Sequence, residues 1–202
     1  SLKTILGVIK FAMIDQVKLR WLIIYSSAMG VATLSMAWFS QPFFKAVDIP
    51  LAYFGVLWAG LNFSAGFTSF NAHRFDKNKR GYKMLIYLAL AMLISFLLLG
   101  FNITVFGLVF VVLIYLLRGI VTPILRNAIN ENTSSNKRAT VLSIRSFIIR
   151  ISFAISAPVL GYIADHYSIS YSFYAIALIV GVFSILAAIR LFNLDNKPTF
   201  VS

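Results

Sequence analysis

The sequence predicts an all-α, polytopic membrane protein with six transmembrane helices in two inverted three-helix repeats. Of its 202 residues, 60% are hydrophobic and only 12% are charged, and the mean hydropathy is +0.87. A soluble domain of this size would need a far more polar surface. Six apolar stretches reach the ~20 residues that cross a bilayer as a helix. Polar residues recur among these stretches in a pattern of three, which predicts the repeat.

Short charged or turn-forming segments separate the six predicted spans. The spans are Trp21–Gln41, Leu51–Ala72, Met84–Phe101, Val105–Ile124, Ala139–Ala164 and Ser170–Ile189. The six-helix bundle therefore covers residues 21–192, and residues 193–202 form a cytoplasmic tail. In the arm at residues 1–20, apolar residues recur at helical spacing between lysines. This pattern favours an interfacial helix, with a flexible apolar linker as the alternative.

Positive charge is concentrated on one side of the predicted membrane. If the arm is cytoplasmic, alternation of the spans places fourteen of the eighteen Lys and Arg residues inside and only Lys45 outside. The other three, Arg118, Arg145 and Arg150, fall within spans. Cytoplasmic loops carry such an excess, so we expect both termini in the cytoplasm and the protein in a bacterial inner (plasma) membrane. Nucleic acid is not expected as a partner, because the basic residues lie between apolar spans.

Polar side chains divide the spans into two classes. The third and sixth spans are almost entirely apolar, whereas the first, second, fourth and fifth carry several Ser, Thr, Asn, Gln or Arg residues. Polar side chains in membranes usually face the bundle interior, so we expect four inner and two outer helices. The second and fifth spans each end with a small residue, three others and an Asp, at residues 72–76 and 161–165. Two such units in opposite orientation are typical of secondary transporters.

The loop after the second span resembles the signature loop of the major facilitator superfamily. That motif reads roughly G-x-x-x-D-R/K-x-G-R-R/K and follows the second span of a six-helix half. Here Asp76, Lys77 and Arg80 match the motif, while Ala72 and Lys79 replace its glycines. The resemblance implies that the charged residues form a latch at a cytoplasmic gate, where an Asp is stabilised by helix N-termini. The alternative is that these charges lie in a solvated loop and only set the orientation of the protein in the membrane.

Two further stretches extend the resemblance to the whole chain. Residues 138–165, RATVLSIRSFIIRISFAISAPVLGYIAD, are similar to the eleventh span of the family, and the N-terminal arm is similar to the linker between its two halves. The resemblance implies that the chain is the C-terminal half of a secondary transporter. It also implies an N-terminal six-helix half in the same polypeptide as a partner.

Arg118 is the leading candidate for contact with a transported solute. It lies well inside the fourth span, where a charged side chain costs roughly 2.5–3.5 kcal/mol on insertion scales. A solute, a carboxylate of the other half or backbone carbonyls must offset that cost. Its charge favours an anionic or polar solute. Arg150, Tyr25, Asn62 and Gln41 rank below it as cavity residues, with helix packing as the alternative for each.

Three residues are candidates for bending or packing of the helices, namely Pro123, Pro158 and Gly161. Proline removes a backbone hydrogen bond and can kink a membrane helix. Arg145 is expected nearer the cytoplasmic interface than Arg150, because it is closer to the basic start of its span.

Several functions are disfavoured. The chain has no Cys and only two His, and those two fall on opposite predicted faces, so we expect no metal site, no cofactor and no catalytic residues. No P-loop is present, which excludes ATP drive within this chain. The expected partners are the lipid bilayer and a small-molecule solute. The main alternative is a stand-alone six-span channel or an oligomeric transport subunit.

Overall fold

The computed structural model describes residues 7–76 and 82–195, and only the backbone of residues 73–76. This part of the chain is helical and contains no strand, which confirms the predicted all-α class. A helical segment at residues 7–15 precedes the long helices and is π-helical over Phe11–Asp15. The long helices are α1 (Val17–Ala46), α2 (Phe54–Asp76), α3 (Lys83–Phe101), α4 (Leu108–Glu131), α5 (Arg138–His166) and α6 (Ile169–Asp195). Single 3₁₀ turns lead into three of them, at Leu51–Tyr53, Val105–Gly107 and Ser135–Lys137.

Five of these helices, all except α2, are long and apolar enough to cross a membrane. The chain is therefore a membrane protein with several helices of spanning length. α2 is the less apolar helix, because Gly, Ser, Thr and Asn recur among its 23 residues.

The helices pack in two layers. In one layer α2, α4, α1 and α5 lie side by side in that order, because α2 packs mainly on α4, α4 packs on α1, and α1 packs on α5. In the other layer α3 and α6 pack on each other, with α3 behind α4 and α6 behind α1. The four helices with many polar residues thus form one layer, and the two apolar helices form the other.

The four helices of the polar layer, which we expected to be inner helices, are not uniformly buried within this bundle. α1 is the most buried helix and supplies core side chains such as Tyr25, Met29, Met36 and Phe43. α5 is the least buried of the five helices of spanning length. The reason is that the polar layer has one face without a covering layer, so α2 and α5 at its edges are exposed there.

The helices extend beyond the predicted spans, most clearly at their C-terminal ends. α4 runs to Glu131, seven residues past the predicted end at Ile124, and α1 begins at Val17 instead of Trp21. Loss of apolar character marks where a helix leaves the hydrocarbon, but helical hydrogen bonding continues into the polar region. The arm expected over residues 1–20 is accordingly shorter, and its described part ends before Gln16.

α1 ends in a hydrogen-bonded reversal. The Ile49 amide donates to the carbonyl of Phe44 at 3.0 Å, and the Asp48 amide donates to that of Lys45 at 3.2 Å. Asp48 has φ of 56°, the left-handed conformation that this Schellman-type ending needs and that Asp tolerates better than most residues. Pro50 then prevents further helix and directs the chain into α2.

The two ends of the bundle differ in chemistry. At one end the start of α1 meets the end of α6, with Lys18 Nζ 3.6 Å from a carboxylate oxygen of Asp195. The segment 7–15 lies at this end too, because Lys137 Nζ is 4.1 Å from the centroid of the Phe11 ring. Basic residues collect there, namely Lys10, Lys18, Arg20, Lys83, Arg126, Lys137, Arg138 and Arg190.

The opposite end carries exposed aromatic side chains and Lys45 as its one basic residue among the described positions. Rings pair there between neighbouring helices, as in Phe101 of α3 with Tyr174 of α6 at 5.8 Å between centroids. Tyr171 also contacts both Tyr167 and Tyr174. Aromatic side chains of this kind are enriched where a membrane meets water.

α2 is held on α4 by a close contact between small residues. The Thr68 hydroxyl donates to the Leu116 carbonyl of α4 at 3.0 Å. Beside this bond Gly119 faces Thr68 and Ala65 so closely that a Cβ atom at Gly119 would overlap Thr68 Oγ1 and the Ala65 carbonyl oxygen. Close approach through small residues, with interhelical hydrogen bonds, is how membrane helices associate without a hydrophobic driving force.

Replacing Gly119 with Ala should therefore separate α2 from α4. Overpacking of this kind costs about 1–3 kcal/mol, so Gly119→Ala should lower the thermal unfolding midpoint of the detergent-purified protein. Gly66→Ala on α2 is the matched control, because nothing lies within 4 Å of a Cβ added there. Equal midpoints for the two variants would show that the contact does not hold α2.

Candidate functional site

A cavity of about 280 Å³ lies between α1, α4 and α5. Arg118 stands ten residues after Leu108, about 15 Å along the 24-residue α4. Arg150 stands twelve residues after Arg138, about 18 Å along the 29-residue α5. The structure therefore brings these two predicted residues together, close to the middle of both helices.

Each of the three helices lines the cavity with one face. The lining residues recur at spacings of three and four, as on a helical stripe, and are Gly30, Thr33, Leu34 and Ala37 on α1, Arg118 and Thr122 on α4, and Arg145, Ser146, Ile149 and Arg150 on α5. Gly30 brings α5 close to α1, since a Cβ atom there would lie 2.7 Å from Ile149 Cδ1. The surface is mixed, with guanidinium and hydroxyl groups set among aliphatic side chains.

Arg145, which is expected nearer the cytoplasmic interface than Arg150, also lines this cavity. Its Nε donates a hydrogen bond to the Ser26 hydroxyl of α1, and Ser26 is fully buried. The bond holds the guanidinium against α1, so the side chain faces inward despite lying only seven residues after the start of α5 at Arg138.

Arg118 is placed over an aromatic ring. Its guanidinium carbon is 5.7 Å from the centroid of the Tyr115 ring, a cation–π geometry that contributes about 0.5–1 kcal/mol at an exposed site and more when desolvated. Tyr115 is 1% exposed, and its hydroxyl is 3.4 Å from that of Ser40 on α1. Sequence reasoning missed Tyr115, although its spacing of three residues before Arg118 was a usable signal.

A second, larger cavity of about 590 Å³ adjoins the first between α4 and α5. The two share Thr122, Arg145, Ser146 and Arg150, and the larger one also reaches Arg126. Arg126 is two helical turns beyond Arg118, toward the basic end of the bundle. The cavities together form a cleft from mid-bundle toward that end.

No carboxylate compensates the charge of this cleft among the side chains that the structure describes. Within that part of the chain, the ion pair between Lys18 and Asp195 is the one contact of Lys or Arg with a carboxylate within 4.0 Å. Neither residue lines the cleft. Arg118, Arg126, Arg145 and Arg150 consequently give it a strong net positive charge.

Three lower-ranked candidates lie elsewhere. Tyr25 is fully buried between α1 and α3, where its hydroxyl donates to the Leu85 carbonyl at 2.8 Å. The Asn62 amide donates to the Trp58 carbonyl of its own helix at 2.9 Å. Gln41 is exposed near the end of α1. None of the three lines either arginine-containing cavity.

The structure describes only one of the proposed gate residues, and only its backbone. Asp76 is the last residue of α2, and its side chain is not described. Lys77 and Arg80 lie outside the described residues.

The proline and glycine candidates lie within continuous helices. Pro123 directly follows the cavity residue Thr122 in α4, whereas Pro158 and Gly161 lie in α5 beyond the cavity. Sequence reasoning missed Pro42, a third proline inside a helix, near the end of α1.

A further cavity, of about 230 Å³, lies between segment 7–15, α1, α5 and α6. Its lining is mostly aliphatic, with hydroxyls from Ser27, Ser152 and Ser156 and no ionisable group. Among the described side chains, those of residues 7–72 and 82–195, no three from His, Asp or Glu lie close enough together to hold a metal ion. The arginine-lined cleft is therefore the site with the most distinctive chemistry.

The placement of Tyr25 gives a stability prediction. Tyr25→Phe removes a buried hydrogen bond between α1 and α3 and should lower the unfolding free energy by about 0.5–1.5 kcal/mol, with solute binding unchanged. Tyr162→Phe is the control, since Tyr162 is 57% exposed and should leave the melting temperature as it is. Loss of solute binding in a Tyr25→Phe protein of normal stability would instead place Tyr25 on the solute path.

Comparison of the chain with known protein families, with curated protein sequences and with solved structures gives no significant match in any of the three. The comparisons therefore add no family to the geometry of the cleft, and the resemblance to the major facilitator superfamily stays a prediction from the sequence.

Proposed function

We propose that this chain is the C-terminal six-helix half of a secondary transporter of the major facilitator type, and that it has no enzymatic activity. A small solute would cross the membrane by alternating access through the cleft between α1, α4 and α5. The observation that carries the proposal is the arginine-lined cavity at the middle of three adjacent helices. Ionisable groups at such depth are rare in membrane helices and mark substrate or ion pathways.

The helix contacts support an inverted repeat of α1–α3 and α4–α6. If α1 is exchanged with α4, α2 with α5 and α3 with α6, the packing of α1 on α5 becomes that of α4 on α2. The packing of α1 on α6 likewise becomes that of α4 on α3. Packing of α5 on α6 has no counterpart of similar extent between α2 and α3 in the described residues. Binding sites in repeats of this kind lie between the repeats near the membrane midplane, where α1 and α4 meet the cavity.

The uncovered face of the polar layer supports a second six-helix half as the partner. Arg150 and Ser146 of α5 are exposed there although they sit near mid-helix. Lipid does not solvate such groups, so a polar or protein surface must cover them. By the same argument we propose that α2 also crosses the membrane and completes the set of six spans, since its Asn and Ser residues are tolerable beside a cavity and costly against lipid.

Charge asymmetry supports the orientation. If the basic end lies in the cytoplasm, both termini are cytoplasmic, as expected for an inner membrane protein. The cleft then opens toward the cytoplasm through Arg126 in this conformation. The gate assigned to Asp76, Lys77 and Arg80 belongs at the same end, where α2 finishes.

The transport proposal predicts that Arg118→Gln strongly reduces solute exchange without loss of expression. The full-length native protein would be reconstituted in liposomes, and counterflow would be measured with labelled glucose, lysine, acetate, succinate and inorganic phosphate. Losing a charge-assisted hydrogen bond worth about 1.5–3 kcal/mol should reduce exchange roughly 10- to 100-fold.

Arg190→Gln is the matched control, because Arg190 is exposed near the end of α6 and outside the cleft. It should exchange solute like the unmodified protein. Undiminished exchange by Arg118→Gln would exclude the cleft as the pathway. Voltage-driven single-channel currents in a planar bilayer would favour the channel alternative over alternating access.

A further inference from the structure

We infer that the cavity of about 280 Å³ within the cleft binds a small solute that carries at least two negative charges on carboxylate or phosphate oxygens. The inference rests on the proposed function for the transport step, but the binding site itself follows from the charges, partners and size of the cavity.

The cavity is positively charged. Arg118, Arg145 and Arg150 all line the volume of about 280 Å³. Guanidinium groups stay protonated even when buried, so the cavity carries three positive charges. No Asp or Glu is among its lining residues.

The partners of these arginines in the bundle are neutral. Arg145 donates to the Ser26 hydroxyl, and Arg118 lies over the Tyr115 ring. Both contacts orient a guanidinium group, but neither removes its charge. Each group also keeps donors unused, because a guanidinium has five N–H groups. These contacts orient Arg118 and Arg145, and the remaining N–H groups of the three arginines have no carboxylate acceptor among the described residues.

The shape of the guanidinium groups indicates the chemistry of the ligand. The planar fork of a guanidinium group matches the two oxygens of a carboxylate or phosphate. Thr122 adds a hydroxyl at the same space, whereas the hydroxyls of Thr33 and Ser146 already donate to the carbonyls of Gly30 and Leu142 of their own helices. A volume of about 280 Å³ is at the small end of ligand pockets, which begin near ~300 Å³. A compact oxyanion fits this combination.

The three arginines also determine how many negative charges the solute should carry. A single negative charge would leave two of the three guanidinium groups uncompensated at mid-helix depth. Like charges at short range in a medium of reduced dielectric repel strongly. A doubly charged solute compensates most of the cavity and is favoured over a singly charged one of similar size.

Binding of defined probes to the purified full-length protein tests the inference. Isothermal titration would compare inorganic phosphate and succinate with acetate and glucose. We expect saturable binding of phosphate or succinate, binding of acetate weaker by at least roughly tenfold, and no binding of glucose. Arg118→Gln and Arg150→Gln should each weaken binding of the dianion about 10- to 100-fold, with Arg118→Lys intermediate because it keeps the charge and loses the fork. Arg190→Gln should bind as the unmodified protein does.

The source of the oxyanion is distinguished by a lipid arm. Thermal unfolding would be followed with dioleoylphosphatidylglycerol added to the detergent, and then with phosphate or succinate. Stabilisation by soluble dianions that depends on Arg118 supports the inference. Stabilisation by the anionic lipid alone, lost in Arg118→Gln, would assign the cavity to a lipid headgroup and overturn it.

The remaining outcomes separate this inference from the transport proposal. If neither phosphate nor succinate binds, while exchange of glucose or lysine depends on Arg118, the dianion is wrong and the pathway stands. If a dianion binds with the expected dependence on Arg118 and Arg150 but is not exchanged across liposomes, the binding site stands and the transport proposal fails.

Discussion

Charge within an apolar bundle is the constraint that organises this structure. Arg118, Arg145 and Arg150 lie on two helices that must otherwise pack against hydrocarbon or each other. Such groups need polar surroundings, and the fold supplies them where α4, α1 and α5 run side by side. Gly30 brings α5 close to α1, and Ser26 accepts from Arg145. The apolar helices α3 and α6 then cover α4 and α1 from behind, so the positive cleft faces the uncovered side.

Much of this architecture was predictable from the sequence. Long apolar runs predict helices, and the four spans with more polar residues do lie together in one layer, although the sequence predicted an inner and outer arrangement and not layers. The true helix ends were not predictable from hydropathy, because helices such as α4 continue through polar residues to Glu131. The close contact at Gly119 was also not predictable, since it depends on how α2 and α4 are rotated toward each other.

The site was predictable in its charge and not in its membership. Arg118 and Arg150 stand out because charge is rare in apolar spans, and the cavity contains both. Position along a helix does not give its rotation, which is why the contact of Arg145 with Ser26 was not predictable. The same gap put Tyr25 among the cavity candidates, although its hydroxyl bonds Leu85 in the core. Matching stripes at spacings of three and four across α1, α4 and α5 would have been the better signal.

The central claim is that the cleft lies on a water-accessible path across the membrane. The 202 residues of this chain contain no Cys. Thr33→Cys can therefore be the single cysteine of the full-length protein after any cysteines elsewhere in it are replaced. A membrane-impermeant maleimide would then be added to vesicles of each orientation, with Leu186→Cys, 55% exposed on the apolar helix α6, as the lipid-facing control. The account predicts that Thr33→Cys reacts from both faces and Leu186→Cys from neither. Reaction of Thr33→Cys from one face only would contradict it.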